Sequence, residues 1–186
     1  MHKFIFLFSA VIALYSCKDD PTRTEIGDLK VTKIYKYTNS KIDTISGPFD
    51  RNFDIPAVGL FQELIYITQK KNTGIINEAF ARSPAQIPYY TPDSIEVETL
   101  SPYNNIIGAN SDVTQFMGYV DKYNTNGMIY RLNQFKLNRI NFYNNDEFYL
   151  LIMENPTTDS IRLKIKFHYN GDIGTRTTET KWIKFK

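Results

Sequence analysis

The sequence predicts a mainly β fold: an antiparallel β-sandwich, immunoglobulin-like or transthyretin-like, with one or two short helices. Three observations predict it. Short runs alternate apolar and polar residues, as half-buried strands require. Thirteen Tyr and thirteen Phe among 186 residues supply the aromatic side chains that strands favour. Asn, Gly and Pro punctuate the runs at turn spacing and leave little length for helix. A barrel is the alternative closure.

Residues 28–37 read as the first strand. Leu29, Val31, Tyr35 and Tyr37 alternate with Lys30, Thr32 and Lys36, while Lys33 and Ile34 break the pattern, which signals an edge strand or a bulge. Residues 39–47 are turn-rich, with Ile42 and Ile45 as minor anchors, and Pro48 and Pro56 bracket a loop holding Asp50, Arg51 and Asp54. Residues 59–68 make a strong central strand, apolar on both faces from Leu64 to Ile67. Residues 75–82 fit a short helix or a strand equally well. Pro84, Pro88 and Pro92 make 83–92 an irregular connection.

Residues 94–100 alternate cleanly, Ile95, Val97 and Thr99 against Glu96 and Glu98. Ser111 and Asp112 are placed to cap a short helix running to Met117, because such side chains accept from the first free amides. Residues 118–127 read as a second turn-rich loop. Residues 128–132 and 137–143 are strand-like, and Asn144-Asn145-Asp146 is a turn. Residues 148–153 form the most apolar run after the leader and belong in mid-sheet. In the final hairpin Ile161, Leu163, Ile165, Phe167 and Tyr169 point inward, and Arg162, Lys164, Lys166 and His168 outward. Asn170-Gly171 offers a type I′ turn, which Gly174 can lengthen. The returning strand puts Ile183 and Phe185 inward and Thr180, Trp182, Lys184 and Lys186 outward.

The N-terminus has a different character. Met1-His2-Lys3 is basic, and residues 4–14 are apolar except for Ser9. Eleven helical residues at about 1.5 Å each reach roughly half of a ~30 Å hydrocarbon core, which suits a signal-peptide core rather than a membrane span. The run ends at Leu14-Tyr15-Ser16-Cys17, followed by Lys18-Asp19-Asp20. The tetrapeptide resembles the lipobox of bacterial lipoproteins, although Tyr15 stands where that family usually has a small residue. The resemblance implies that Leu14 and Ser16 are read by the signal peptidase and that Cys17 becomes the lipidated N-terminus. Lys18-Asp19-Asp20 resembles the export signal of Bacteroidota surface lipoproteins, which implies transfer to the outer face of the outer membrane. Two or three acyl chains, as the family carries, anchor stably where one holds weakly, each buried methylene contributing about 0.8 kcal/mol.

The expected organisation is a signal peptide at 1–16, a lipidated tether at 17–25 and one β-sandwich domain at 26–186. Cleavage before Cys17 would leave 170 residues, 21 of them basic and 20 acidic. So balanced a chain has no bulk attraction to nucleic acid. Cys17 is the only cysteine, so no disulfide forms within the chain.

Several chemistries find no residues to carry them. After cleavage His168 is the only histidine, which removes most Ser-His-Asp schemes and any multi-histidine zinc site. No Ser-x-x-Lys is present. Gly171-Asp172-Ile173-Gly174 lies in a hairpin rather than before a helix, so it is not a phosphate cradle. Asp50-Arg51-Asn52-Phe53-Asp54 and Asn144-Asn145-Asp146-Glu147 offer oxygens but not the spacing of an EF-hand, and read as turns. Glu96 and Glu98 share a strand face about 7 Å apart. That separation is open to glycoside hydrolysis, but solvated pairs of this kind are common on strands. No cofactor and no metal is expected.

Two features remain for binding. Arg162, Lys164, Lys166 and His168 form a basic row beside Lys181 or Lys184, either a solvated face that discourages aggregation or a contact for an anionic glycan. Trp182, outward, would stack on a sugar or anchor a partner unless a loop covers it. Tyr89-Tyr90 is a lesser candidate of the same kind. These residues point to a non-catalytic outer-membrane surface lipoprotein that binds a glycan or protein or serves envelope assembly. The alternatives are an extracellular hydrolase of glycans or peptides and a fimbria-like subunit that exchanges strands. Intact-mass spectrometry of the membrane-extracted protein is expected to show a chain beginning at Cys17 with added acyl mass; a different first residue, or an unmodified Cys17, would remove the anchor.

Overall fold

The computed structural model describes residues 22–68, 92–120, 128–134 and 147–186. Leu14, Ser16, Cys17, Lys18, Asp19, Asp20, Tyr89 and Tyr90 lie outside these residues, as do the elements expected at 75–82, 137–143 and 144–146. Two compact units are present, one of Met1–Glu25 with Ile65–Pro88 and one of Ile26–Leu64 with Tyr89–Lys186. Of the first, the described residues are 22–25 and 65–68, all extended.

The chain is mainly β, and its only helices among the described residues are single 3-10 turns. The strands are β1 (Thr22–Thr38), β2 (Lys41–Thr44), β3 (Ile55–Thr68), β4 (Ser94–Thr99), β5 (Ser111–Asp112) and β6 (Met117–Val120). They continue with β7 (Tyr130–Arg131), β8 (Glu147–Ile152), β9 (Ser160–Ile161), β10 (Leu163–Tyr169), β11 (Gly174–Glu179) and β12 (Ile183–Lys184). One sheet has the order β2-β1-β3-β8-β6-β7, a second β11-β10-β4-β5, and a small third pairs β12 with β9. The registered pairs are antiparallel, and a parallel bridge joins Phe49 to Phe185.

Period-two alternation builds one core between the larger sheets. Val58 and Leu60 on β3, Phe148, Leu150 and Ile152 on β8, and Met117 and Tyr119 on β6 meet Ile95 and Val97 on β4 and Leu163, Ile165 and Phe167 on β10. The Phe148 and Phe167 rings touch edge to face across the gap, 6.0 Å between centroids. Each such side chain contributes about 1.5–3 kcal/mol by leaving water. β3 and β8 lie side by side in mid-sheet, as their apolar runs require. β4 and β10 keep the expected faces, buried at Ile95, Val97 and Thr99 and half-buried at Glu96 and Glu98.

β1 does not alternate evenly. Ile26 and Leu29 both enter the core, and so do Val31 and Ile34, although residues three apart on a regular strand face opposite ways. The face therefore slips by one residue twice, around Gly27-Asp28 and around Lys33, the second being the break visible in the sequence. The carbonyls near the first slip are met by side chains. Gln62, only 3% exposed, donates through Nε2 to Gly27 O (3.0 Å) and Asp28 O (3.3 Å), and its Oε1 accepts from the Tyr169 hydroxyl at 3.0 Å. Arg176 on β11 donates to Gly27 O, Ile26 O and Ile173 O at 3.2, 3.1 and 2.8 Å. Burial pushes the Tyr169 phenol well above its ordinary pKa, so it remains a donor.

Five expectations need correction. β1 begins at Thr22, inside the stretch expected as tether, because β-branched Thr22, Thr24 and Ile26 favour extension. A two-residue type I′ turn does occur, at Asn39-Ser40, with φ of 49° and 63° and Thr38 paired to Lys41. Asn170 instead has φ −66°, and the β10–β11 connection runs through a 3-10 turn to Gly174 at φ 68°. The helix expected up to Met117 is a single 3-10 turn, Thr114–Phe116, with Asp112 Oδ1 accepting from Thr114 N–H at 2.8 Å. Residues 118–120, expected in a loop, belong to β6, which is buried throughout because Met117 and Tyr119 fill the main core while Val120 fills a smaller cluster on the other face. Thr180, expected outward, is 2% exposed: its N–H donates to Leu163 O and its Oγ1 accepts from Leu163 N–H as β11 leaves the sheet.

The C-terminal segment closes one end. Phe49 N–H donates to Lys184 O, Lys186 N–H donates to Phe49 O, and the Phe49 and Phe185 rings pack 6.1 Å apart. Beside them Asp54, 7% exposed, lies 2.5 Å from Lys36 Nζ and accepts from Asp50 N–H at 2.9 Å. The Lys36 contact above all, and the Asp50 amide with it, hold the Asp54 carboxyl below its ordinary range. A lowered folded-state pKa contributes stability that is present above the unfolded value and lost as pH falls through the folded one. Urea unfolding of the wild-type domain is therefore expected to weaken as pH drops from about 5 to about 2. Asp54→Asn should be about 2 kcal/mol less stable at neutral pH and show a flatter acid dependence; parallel acid profiles for the two proteins would contradict this.

Candidate functional site

The outer face of the four-stranded sheet gathers the residues singled out in the sequence. The row Arg162, Lys164, Lys166 and His168 runs along β10, and register sets the neighbours. Lys164 lies opposite Glu98 on β4 and Glu179 on β11, Lys166 opposite Glu96 and Thr177, and His168 opposite Ser94 and Thr175. Lys166 Nζ reaches Glu98 at 2.5 Å and Glu96 at 3.1 Å, and Arg162 Nη2 reaches Glu179 at 2.6 Å. The His168 ring lies 3.2 Å from Glu96 and 3.0 Å from Thr175 Oγ1.

The row is thus not a free basic patch. Flanking carboxylates neutralise it, because glutamates on β4 and β11 fall in register with the lysines between them. The hydrogen bond from Lys166 is the main cause holding the Glu96 carboxyl below its usual range, and the one to Glu98 the main cause holding the Lys166 ammonium above its own. Exposed pairs of this kind add little each, about 0–1 kcal/mol. They also tie both glutamates to a cation.

Trp182 does stand in the open. It is 54% exposed, and the Arg162 guanidinium carbon lies 5.9 Å from its ring centroid. That distance is within cation–π range. Arg162 is held in turn by Glu179. Buried Thr180 and Ile183 fix the backbone on either side of the indole. The result is one flat aromatic surface beside a charge-balanced polar row.

A second constellation lies on the outer face of the six-stranded sheet, spread over three strands. Glu147 begins β8. Its Oε1 accepts from Thr32 Oγ1 and from the Tyr35 hydroxyl at 3.1 Å, and its Oε2 accepts from the Tyr149 hydroxyl at 2.8 Å. The two Tyr rings meet edge to face, 5.6 Å and 85° apart. Burial first, then the Glu147 carboxylate, pushes both phenols above their ordinary pKa. Gly59 on β3, paired with Tyr149, forms the floor: a Cβ there would overlap Glu147 Oε1, Thr32 Oγ1 and Tyr35 Cε2. Sequence reasoning missed this group, having weighed Glu147 only as a calcium ligand and as part of a turn. The slip at Lys33, which turns Thr32 and Tyr35 to the same face, was its one visible trace.

The Asp50–Asp54 turn is structural, its carboxylates engaged with Asn52 N–H, Asp50 N–H and Lys36. Among the described residues no three His, Cys, Asp or Glu side chains converge as metal ligands. No protein-family model matches this chain, and comparison with curated proteins and with solved structures finds no match.

Gly59→Ala is expected to destabilise the domain by about 1–3 kcal/mol in urea unfolding, the usual cost of overpacking. Gly108→Ala, with open space around it, serves as a control near zero. Equal stability of the two variants would show that the cluster does not press on the β3 backbone.

Proposed function

We propose that this chain is an outer-membrane surface lipoprotein, anchored through Cys17, whose β-sandwich domain binds a glycan without acting on it. The sandwich is of immunoglobulin-like or transthyretin-like arrangement. The observation that carries the binding reading is Trp182, exposed and backed by Arg162. A sugar ring offers an apolar C–H face and a rim of hydroxyls. Trp182 suits the first, and the alternating donors and acceptors of Arg162, Glu179, Lys164 and Glu98 suit the second. A protein-binding core would need neighbouring apolar side chains, whereas the neighbours along this row are charged.

The balanced row refines the ligand. Arg162, Lys166 and His168 are already paired with carboxylates, so the face favours a neutral, hydroxyl-rich glycan over a polyanion. The hydrolase reading has less support, since Glu96 and Glu98 are both bound by Lys166 rather than presented as a free acid and base. The tether would hold the domain close to the membrane, where surface polysaccharide is concentrated.

A glycan array comparing wild type with Trp182→Ala tests this directly. The variant should keep its fold and lose at least about tenfold in signal, roughly the value of one aromatic stacking contact. Indistinguishable array profiles would take Trp182 out of the binding surface.

A further inference from the structure

The Glu147 cluster has an unusual hydrogen-bond balance. A hydroxyl has one proton to give. Thr32, Tyr35 and Tyr149 each spend theirs on the Glu147 carboxylate. What the group presents outward is therefore oxygen lone pairs and one negative charge. The other glutamates paired across these sheets have a cation: Glu63 has Lys30, Glu96 and Glu98 have Lys166, and Glu179 has Arg162. Among the described residues no Lys, Arg or His side chain lies within ion-pair distance of Glu147.

The cluster is also open to solvent. Glu147, Tyr35 and Tyr149 are half-buried, and Thr32 is exposed. The two rings stand at right angles beside the carboxylate, and aromatic faces attract cations. Gly59 forgoes a side chain at the centre of the sheet, where a residue with no special φ would ordinarily pack one, and so lets the group sit against the backbone.

We propose that Glu147, Tyr35, Tyr149 and Thr32 form a binding site for a primary ammonium group, as carried by a de-N-acetylated amino sugar. An ammonium is a donor with no acceptor, the complement of this surface. A carboxylate or phosphate would meet only lone pairs and like charge. A guanidinium would need an open, two-pronged carboxylate edge, and Oε1 is already taken by two hydroxyls. The tyrosines supply the apolar wall on which the ring carbons rest. This site is separate from Trp182 and lies on the other sheet.

The test is a titration of the folded domain, with its tyrosines carbon-13 labelled for NMR, against glucosamine tetrasaccharide and against its fully N-acetylated counterpart. The free amine should shift the Tyr35 and Tyr149 ring signals and bind at least about tenfold more tightly than the acetylated sugar. Glu147→Gln should abolish that preference, and Trp182→Ala should keep it. Equal affinity for the two sugars, an unchanged preference in Glu147→Gln, or the same ring shifts produced by calcium chloride would each overturn the assignment. The comparison of sugars on wild-type protein decides the matter even where Glu147→Gln fails to fold. Loss of preference in Trp182→Ala would mean that the amine is read on the other sheet and would likewise overturn it.

Discussion

The fold turns on how β1 is held while its faces slip. A strand that changes face twice aims some main-chain carbonyls away from its regular ladder, and a carbonyl buried without a donor costs about 1–3 kcal/mol. Gln62 and Arg176 supply the donors at Ile26, Gly27 and Asp28, and Tyr169 completes the buried amide by donating to it. These partners come from both larger sheets, Gln62 from β3 of one and Tyr169 and Arg176 from the other. The same polar contacts that satisfy β1 therefore tie one sheet to the other, in a region where the rest of the core is held by non-directional apolar packing. A leucine in place of Gln62 would fill the space, take this donor from Asp28 O and leave Gly27 O to Arg176 alone.

The second slip has a different effect. By putting Thr32 and Tyr35 on one face it brings three hydroxyls to one carboxylate, and Gly59 makes room for them. An irregularity in one strand thus becomes a polar constellation on the outside of the sheet. The opposite outer face is ordinary by comparison: straight strands, lysine against glutamate, and a single indole at its end. The two faces differ in chemistry, one an exposed indole beside a charge-balanced row, the other a carboxylate ringed by three hydroxyls.

How much of this was legible in the sequence follows from which contacts are local. The alternation in 94–99 and 163–169 states its own burial, and the apolar run at 148–152 marks a central strand. β6 was hidden because Gly118 interrupts the pattern. That glycine is there because Met153 and the Tyr130 carbonyl press against it, which only the neighbouring strands reveal. The Asn39-Ser40 turn was hidden because Ser seldom takes positive φ, while Asn170-Gly171 advertised a turn that the longer loop made unnecessary. The basic row was legible as a row, and Trp182 as outward. The glutamates that neutralise the row belong to β4 and β11, and their partnership depends on register. Glu147, Tyr35 and Thr32 come from strands distant in sequence, so no spacing rule could assemble them.

The bridge between Phe49 and Phe185 bears on how such a chain matures. A polypeptide synthesised N-terminus first must keep Phe49 without its partner until Phe185 arrives. Closing a loop that long is slow compared with forming a hairpin. Until then Phe49 and the adjoining edge stay uncovered, a state open to association with other chains. A chaperone that shields an emerging β-rich chain would have the most to protect in that interval.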